Sequence, residues 1–484
     1  MCINFSYLLI SLFICKYKHI LKLIANFVLN NIRIMKSICN LIGTAACLLL
    51  SASPAMALNG AWRGRLAIGQ MELPLVFNFS ENNEGKTECT LDSPSQGVKG
   101  LPTTVTLCST DSIALECKSI GASFNGKIQN DEITGKFYQR GFSFPMTLHQ
   151  DAPLEERRPQ TPKPPYPYTT IDTVFTAPDG AILSATLTLP ANVKNKKTPA
   201  VIMVTGSGPQ NRDEELFEHK PFAVIADYLA RNGVASLRYD DRGIGKSTGN
   251  FYEATTYDFM NDAKSGIEFL RKYKGIGKVG VLGHSEGGTI AFLLAGERQP
   301  DFIISLAGVA ETGKEALMKQ NIRLLEKSGI KGKEKDNSIA LISKLFDTMS
   351  TQRINGNVTS INPDSLARAN NLDVPASIMN SLQATQKIRT PWFDLLLAID
   401  PGESLSKTKC PVLAINGDKD TQVEAESNLA IIRERVPKAV IRKMPSLNHL
   451  MQHAITGDSS EYGEIKETIS PEVLQIILDF IKSM

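Results

Sequence analysis

The first 57 residues contain no aspartate or glutamate, although they carry five of the 53 lysines and arginines in the chain. Subtracting those five leaves 48 basic residues against 50 acidic residues. A chain this close to neutrality lacks the basic surface that nucleic-acid binding requires, so we expect no nucleic-acid partner. The acid-free start is instead typical of a targeting segment.

Cysteine is sparse after this segment. Four of the eight cysteines remain there, namely Cys89, Cys108, Cys117 and Cys410. Their spacing matches no disulfide framework, so the sequence leaves open both a Cys108–Cys117 bridge and free buried thiols. Because Cys-x-x-Cys pairs and Cys/His clusters are lacking, we expect no metal site.

The N-terminal segment has the three parts of a secretory signal. From Met35, Lys36 supplies the charged start, an apolar stretch follows, and small residues end at Ala57. We therefore predict that residues 1–57 form a signal segment with its true start at Met35, and that the protein is exported to a periplasm or secreted. A membrane anchor formed by the apolar segment is the alternative.

The chain then divides by composition, as expected for a length that exceeds one ordinary core. Residues 58–150 show short alternating runs broken by Gly, Asn and Asp, which predict a small antiparallel sandwich or barrel. Five prolines between Glu155 and Tyr168 predict a stiff, extended linker over residues 151–170.

Residues 171–484 alternate apolar β-rich runs with helical patterns, which predicts an α/β domain with a mostly parallel sheet covered on both faces. Connections in such domains usually take about 2–6 residues. The stretch at about 311–405 is far longer and rich in helical patterns, so it predicts a helical cap over one edge of the sheet.

Two segments match the nucleophile pattern Gly-x-Ser-x-Gly. Ser285 follows the strand pattern "VGVL" and precedes an apolar helical run, the context that exposes a serine hydroxyl at a sharp strand-to-helix turn. Ser247 lies between polar segments. We therefore predict that Ser285 is the nucleophile and that Ser247 belongs to a structural turn.

A serine nucleophile needs a histidine base, and the histidine needs an acid to fix its tautomer. Only His449 and His453 lie downstream of Ser285, and His449 is predicted because it follows a strand. The acid is predicted to be Asp420, just past the strand "PVLAING", with Asp418 as its rival.

The developing oxyanion needs two backbone donors. One is the amide of Glu286, which follows the nucleophile. For the second, the loop "VTGSGPQ" follows a strand, and we predict Ser207, with Gly208 as the rival.

These motifs together carry a family resemblance. The order "VTGSGPQNRDE", "YDDRGIGKS", "GHSEGG", "PWFDLLLAIDP", "CPVLAINGDKDTQV" and "LNHLMQ" resembles serine esterases of the α/β-hydrolase superfamily, in particular EstD-like bacterial carboxylesterases. The resemblance implies an α/β-hydrolase fold with a helical cap, and hydrolysis of carboxylic esters by Ser285, Asp420 and His449. It also implies structural roles for Asp240, Arg242 and Ser247.

The sequence thus predicts an exported serine hydrolase that acts on a small-molecule ester through an acyl-enzyme and needs no cofactor. A serine aminopeptidase is the alternative, since a cap carboxylate could capture a substrate amine. The candidates for that carboxylate are Asp347, Asp394 and Asp400.

A third reading makes the N-terminal β domain a weak glycan- or envelope-binding module. Trp62, Phe137 and Tyr138 could stack on sugars, or serve as core residues. In the cap, Trp392 and Phe393 could line an acyl pocket or seat the cap, and the sequence does not choose between the two.

Overall fold

The chain forms two compact units, which the computed structural model describes over most of their length. The described residues are 58–68, 71–82, 85–93, 98–129, 131–139, 141–150, 158–193, 197–387 and 389–484. The first unit is described within residues 58–150, and the second begins at Arg158 and runs to Met484.

The first unit is a closed antiparallel barrel of eight strands, in which β1 pairs with both β2 and β8. The sequence predicted a small sandwich or barrel, and the structure shows a barrel. Its strands are β1 (Gly60–Ile68), β2 (Met71–Glu81), β3 (Thr87–Ser93), β4 (Val98–Cys108), β5 (Ser112–Cys117), β6 (Ala122–Gln129), β7 (Glu132–Gln139) and β8 (Phe142–Gln150).

Aromatic side chains fill the barrel interior. Trp62 and Phe137 are buried in its core together with Phe77 and Phe124, whose ring centroids lie 5.6 Å apart. Of the three aromatic residues considered for sugar stacking, only Tyr138 is exposed, at 38%. The interior positions follow from alternation along each strand, because successive side chains point to opposite faces.

The four cysteines after residue 57 are free thiols in this structure, so Cys108 and Cys117 form no bridge. The Cys117 thiol instead donates to the carbonyl of Pro102 at 3.6 Å. Burial raises the pKa of the Cys89 thiol to about 12, which keeps it protonated and chemically quiet.

The second unit is built on an eight-stranded sheet with the order β16-β15-β14-β13-β11-β12-β10-β9. Strands β11 to β16 pair in parallel, while β9 and β10 form an antiparallel edge. The bounds are β9 (Thr169–Thr176), β10 (Ile182–Leu189), β11 (Thr198–Val204), β12 (Ala235–Tyr239), β13 (Ile276–His284), β14 (Phe302–Leu306), β15 (Val412–Gly417) and β16 (Val440–Met444).

Helices cover both faces of this sheet, which confirms the predicted alternation of strands and helices. The faces are packed against α1 (Pro221–Arg231) and α11 (Pro471–Lys482) on one side, and against α2 (Thr256–Lys272), α3 (Glu286–Gly296) and α10 (Ala425–Arg435) on the other. Because both faces are buried, central strands such as β12 are apolar or buried at every position, without alternation.

Further helices are inserted between β14 and β15. They are α4 (Gly313–Lys327), α5 (Gly332–Ile354), α6 (Pro363–Ala369), α7 (Ala376–Lys387), α8 (Pro391–Ala398) and α9 (Gly402–Lys407). Helices α4 to α8 share a hydrophobic cluster of their own, which includes Leu341, Leu345, Leu382 and Trp392. The inserted segment therefore packs as a sub-structure within the second unit.

The segment that follows residue 157 is attached to the second unit. Arg158 is 7% exposed, and its guanidinium donates to the carbonyls of Phe217, Gly463 and Ile465 at 2.8–3.0 Å. Gln160 donates to the carbonyl of Ile469 at 2.8 Å. The part of the Pro-rich stretch from Arg158 onward is thus fixed to the second unit by hydrogen bonds from Arg158 and Gln160. The proline content alone does not predict these bonds.

Within the described ranges, no helix is both long enough and apolar enough to cross a membrane. The predicted signal segment, residues 1–57, lies outside the described residues.

Candidate active site

Ser285 occupies a sharp turn between β13 and α3, with φ of 53° and ψ of −118°. A left-handed backbone is strained for a serine, and it aims the side chain away from the sheet. The flanking glycines are required by space: a Cβ on Gly283 would lie 2.0 Å from the Gly287 carbonyl oxygen, and one on Gly287 would lie 2.1 Å from that of Val204.

Asp420 and His449 meet at the carboxyl edge of the sheet. His449 Nδ1 lies 2.8 Å from Asp420 Oδ2, and both residues are buried. The other oxygen, Oδ1, accepts from the amides of Gln422 and Val423 at 2.8 and 2.9 Å. The carboxylate is therefore fixed on both sides, and Nε2 of His449 is the ring nitrogen left to exchange a proton.

The two rival residues lie elsewhere. Asp418 Oδ1 accepts from the amide of Ser446 at 2.6 Å, so it stabilises the turn that leads towards His449. His453 pairs with Glu467 on the surface, with its Nδ1 at 2.9 Å from Oε1. Neither residue lines the cavity described below.

The second Gly-x-Ser-x-Gly match is a buried turn. The Ser247 hydroxyl donates to the Asp240 carbonyl at 2.8 Å and accepts from the Ser184 amide at 2.9 Å. Arg242 pairs with Asp262 at 2.6 Å, and Asp240 pairs with Arg212 at 2.8 Å. All of these groups are engaged in joining the turn to neighbouring strands and helices.

Ser285 and His449 line one cavity between the sheet edge and the inserted helices. Its wall is mainly apolar, and α4, α5, α7 and α8 each contribute to it. Examples are Leu317, Phe346, Leu382, Phe393 and Leu396. Such a wall suits the hydrocarbon part of a ligand, while the few polar groups can fix its orientation.

The loop after β11 lies beside Ser285. A Cβ on Gly206 would lie only 3.1 Å from Ser285 Cβ. The Gly206 amide donates to Glu214 at 2.7 Å, so it is already engaged. Ser207 lines the cavity, whereas Gly208, at φ of 102°, does not and lies beside a separate small pocket.

Glu286 follows Ser285, and its amide has no intrahelical partner because it begins α3. Its buried carboxylate accepts three hydrogen bonds, from Thr256 at 2.7 Å and from Ser207 and Trp392 at 2.8 Å each. Burial raises the pKa of this carboxyl group against the opposing effect of the three donors. Glu286 thus joins α2, the β11 loop and inserted helix α8 at one point.

A buried pair beneath the site was not predicted from sequence. His284 Nδ1 lies 2.9 Å from Glu214 Oε1, and its Nε2 lies 2.9 Å from the carbonyl oxygen of His449. Burial acts to lower the pKa of His284, but the Glu214 carboxylate outweighs it and the pKa is raised. The His284 and His449 rings are 4.8 Å apart, so the pair supports the loop that carries His449.

Within the described parts of the chain, no group of three or more His, Cys, Asp or Glu residues is placed to hold a metal ion. The arrangement is a half-buried serine, an imidazole fixed by a carboxylate, and nearby amides at a helix N-terminus. Chemically, such a set can support nucleophilic attack on a carbonyl carbon.

Comparison with known proteins agrees with this chemistry. The family model described as serine aminopeptidase, S33 matches residues 218–459, which is half of the chain. Esterase EstD of Thermotoga maritima is 25% identical over 255 residues, covering 52% of this chain and 54% of that protein. An acyl transferase of Photobacterium leiognathi is 29% identical over 140 residues, covering 29% of this chain and 43% of that protein.

The chain therefore spans about half the length of these curated relatives. Among solved structures, an esterase of Pyrococcus furiosus covers 65% of this chain and 91% of its own, at 17% identity and a TM-score of 0.40. A structure from Butyrivibrio proteoclasticus with bound ferulic acid covers 64% of this chain and 96% of its own, at 21% identity and a TM-score of 0.37.

Proposed function

Because the chain belongs to the serine aminopeptidase S33 family of the α/β-hydrolase superfamily, we propose that it is a serine hydrolase that cleaves carboxylic esters. Ser285 is the nucleophile, His449 the general base and acid, and Asp420 the group that orients the imidazole. The observation that carries the proposal is the 2.8 Å contact between His449 Nδ1 and Asp420 Oδ2, beside a cavity that Ser285 also lines.

In the proposed reaction, Ser285 Oγ attacks the ester carbonyl carbon while its proton passes to His449 Nε2. The oxyanion that forms is stabilised by the amides of Glu286 and Ser207, each worth about a hundred- to thousand-fold in rate. The C–O bond to the alcohol then breaks, and the alcohol leaves with the proton from His449. Water repeats the sequence on the acyl-enzyme, releases the carboxylic acid and restores the serine.

The inserted helices act as a cap in this proposal and hold the acyl group. The lining of the cavity by Phe393 and Leu396 from α8 and by Phe346 from α5 supports that role. Trp392 lines the same cavity and also binds Glu286, so it both seats the cap and shapes the pocket.

The acids of the inserted segment favour an ester over an aminoacyl substrate. Asp347 pairs with Lys314, Asp394 pairs with Arg389, and Asp400 accepts from the Gly402 amide. None of these three acids lines the cavity within the described residues. Asp347, Asp394 and Asp400 therefore supply no free carboxylate for a substrate ammonium group.

We also propose that the protein is exported, on the basis of the charged start, apolar stretch and small-residue end of residues 35–57. Separation of the cell fractions and N-terminal sequencing of the mature protein test this, with cleavage after Ala57 expected. An uncleaved chain found in the membrane fraction would favour an anchor instead.

The reaction is tested with p-nitrophenyl esters of graded acyl length beside aminoacyl p-nitroanilides. Ester turnover is expected to dominate, and Ser285→Ala is expected to lower it by about a million-fold. Ser247→Ala is the matched control, because Ser247 also lies in a Gly-x-Ser-x-Gly segment but its hydroxyl bonds to Asp240 in its own turn and to Ser184 on β10. Faster anilide than ester hydrolysis would instead indicate an aminopeptidase.

A further inference from the structure

The Ser207 side chain is hydrogen-bonded to the residue that follows Ser285. Its Oγ donates to Glu286 Oε2 at a distance of 2.8 Å. Both residues line the cavity that Ser285 also lines. A carboxylate acceptor makes such a bond stronger than one between two neutral groups. The bond therefore joins the loop after β11 firmly to the first residue of α3.

The other oxygen of this carboxylate is held by two further donors. Glu286 Oε1 accepts from Thr256 Oγ1 at 2.7 Å and from Trp392 Nε1 at 2.8 Å. Glu286 is 4% exposed, so these two donors and Ser207 take the place of water around the carboxylate. Because the two donors fix the orientation of the carboxylate, they also fix the position of Oε2 opposite Ser207.

The backbone of Ser207, in contrast, is held by no hydrogen bond of its own. Its amide and its carbonyl have no partner among the described residues. Ser207 also lies between Gly206 and Gly208, and the φ of Gly208 is 102°. Glycine backbone is conformationally permissive. The direction of the Ser207 N–H therefore depends on the side-chain bond to Glu286.

We propose that Glu286 is a positioning residue, whose carboxylate holds Ser207 so that the amides of Ser207 and Glu286 stabilise the oxyanion together. Glu286 then supplies one donor through its backbone and places the other through its side chain. This inference rests on the proposed ester hydrolysis and deepens it. It assigns the Ser207 hydroxyl to Glu286 and only the Ser207 amide to the substrate.

The first experiment measures kcat and KM of Ser207→Ala and Ser207→Thr for a p-nitrophenyl ester. Ser207→Ala keeps the amide but loses the bond to Glu286. We expect kcat to fall about ten- to a hundred-fold while KM stays within about twofold, because a displaced oxyanion donor acts on the transition state. Ser207→Thr keeps the hydroxyl and is expected to recover most of the loss. An unchanged kcat in Ser207→Ala, or an equal loss in both variants, would overturn the proposal.

Ser247→Ala is the matched control for the loss of a buried, hydrogen-bonded hydroxyl. The Ser247 hydroxyl also forms bonds of 2.8 and 2.9 Å, with Asp240 and Ser184, but Ser247 does not line the cavity. We expect Ser247→Ala to lower the thermal unfolding temperature and to keep kcat within about twofold. A fall in kcat as large as that of Ser207→Ala would assign the effect to destabilisation and count against positioning.

A double-mutant cycle tests the part played by Glu286 itself. Glu286→Ala removes the partner of the Ser207 hydroxyl, so Ser207→Ala is expected to cost no further rate in that background. A full additional loss would show that the hydroxyl acts on the substrate directly, and would overturn the role of Glu286. Circular dichroism checks that Glu286→Ala folds, and the comparison of Ser207→Ala with Ser207→Thr does not depend on it.

A transition-state analogue separates this inference from the proposed reaction. Ser285 Oγ adds to the carbonyl carbon of a trifluoromethyl ketone with a hexyl chain, its proton passes to His449, and the ketone oxygen becomes the oxyanion. The inhibition constant of this ketone is expected to rise in Ser207→Ala by the factor by which kcat/KM falls. The corresponding methyl ketone, which forms no stable adduct, is expected to bind both proteins equally.

The outcomes for the two proposals differ. Wild-type protein that hydrolyses no ester and binds the trifluoromethyl ketone no more tightly than the methyl ketone would refute the proposed reaction. Ester turnover with the same affinity for the trifluoromethyl ketone in wild type and Ser207→Ala would refute the positioning role of Glu286 alone.

Discussion

At the residue scale, the position of Ser285 depends on two glycines that have no space for a side chain. The Gly283 and Gly287 backbones approach other backbone atoms, so no rotamer change could make room for a Cβ. Steric fit therefore fixes the turn in which Ser285 adopts its left-handed conformation.

Gly287→Ala is expected to displace the turn and to lower kcat/KM for a p-nitrophenyl ester by about a hundred-fold or more, because a shift of about 1 Å at a reacting atom has effects of this size. Steady-state kinetics and circular dichroism measure the two consequences. Gly463→Ala is the control, since a Cβ there would meet its nearest atom, on Phe217, at 3.7 Å. Equal activity of both variants would contradict the steric argument.

The pair of His284 and Glu214 predicts a pH-dependent stability. Since the pKa of His284 is raised in the folded state, its charge stabilises the fold below the unfolded value of about 6.5, and this contribution is lost as the pH rises through the folded value. Urea unfolding of wild type and His284→Gln at pH 5, 7 and 9 is expected to give a difference in unfolding free energy that shrinks with pH. A difference that stays constant would contradict a charged His284.

At the element scale, the sequence predicted those features that depend on neighbouring residues. The strand before Ser285 and the helix after it distinguish it from Ser247, and the strand "PVLAING" places Asp420 at the carboxyl edge of the sheet. His449 follows β16 for the same reason, since parallel strands deliver their following loops to one edge.

Contacts between distant elements were not predictable in this way. Glu214 and His284 are 70 residues apart, and Glu286 and Trp392 are 106 residues apart. No periodicity or local motif marks such a pair, because the two partners are brought together only by the packing of distant elements. Only the packing of α8 against the Ser285 turn shows that Glu286 is hydrogen-bonded to three elements.

Trp392→Phe tests this contact between α8 and the Ser285 turn. The change keeps an aromatic ring but removes the donor to Glu286, so we expect the free energy of unfolding to fall by about 1–3 kcal/mol. We also expect KM for an octanoate ester to rise more than kcat falls, because the acyl pocket loosens. Trp62→Phe is the control, since Trp62 Nε1 has no hydrogen-bond partner among the described residues.

At the scale of the whole molecule, the proposed site lies entirely in the second unit. Its residues range from Gly206 to His449, and the segment that begins at Arg158 is bound to that unit by hydrogen bonds. The proline content of this segment predicted an extended connection, but the hydrogen bonds of Arg158 and Gln160 depend on distant carbonyls that the sequence does not mark.

A chain of residues 158–484 is therefore expected to fold and to hydrolyse p-nitrophenyl esters with kcat/KM within about twofold of the full chain, because it keeps its own core and all site residues. A chain of residues 169–484 is expected to be less stable, because Arg158 alone supplies several charged hydrogen bonds of about 1.5–3 kcal/mol each. Thermal unfolding and ester turnover of the two chains check this. Equal stability would show that the segment contributes nothing.

The closed eight-stranded barrel limits the ways in which the first unit can bind other molecules. Among the described residues, every strand from β1 to β8 pairs with a strand on both sides, so none of them is a free edge strand. A passing extended peptide cannot add itself as a ninth strand, and copies of the barrel cannot join edge to edge into fibrils. Recognition by this unit must therefore proceed through side chains and loops alone.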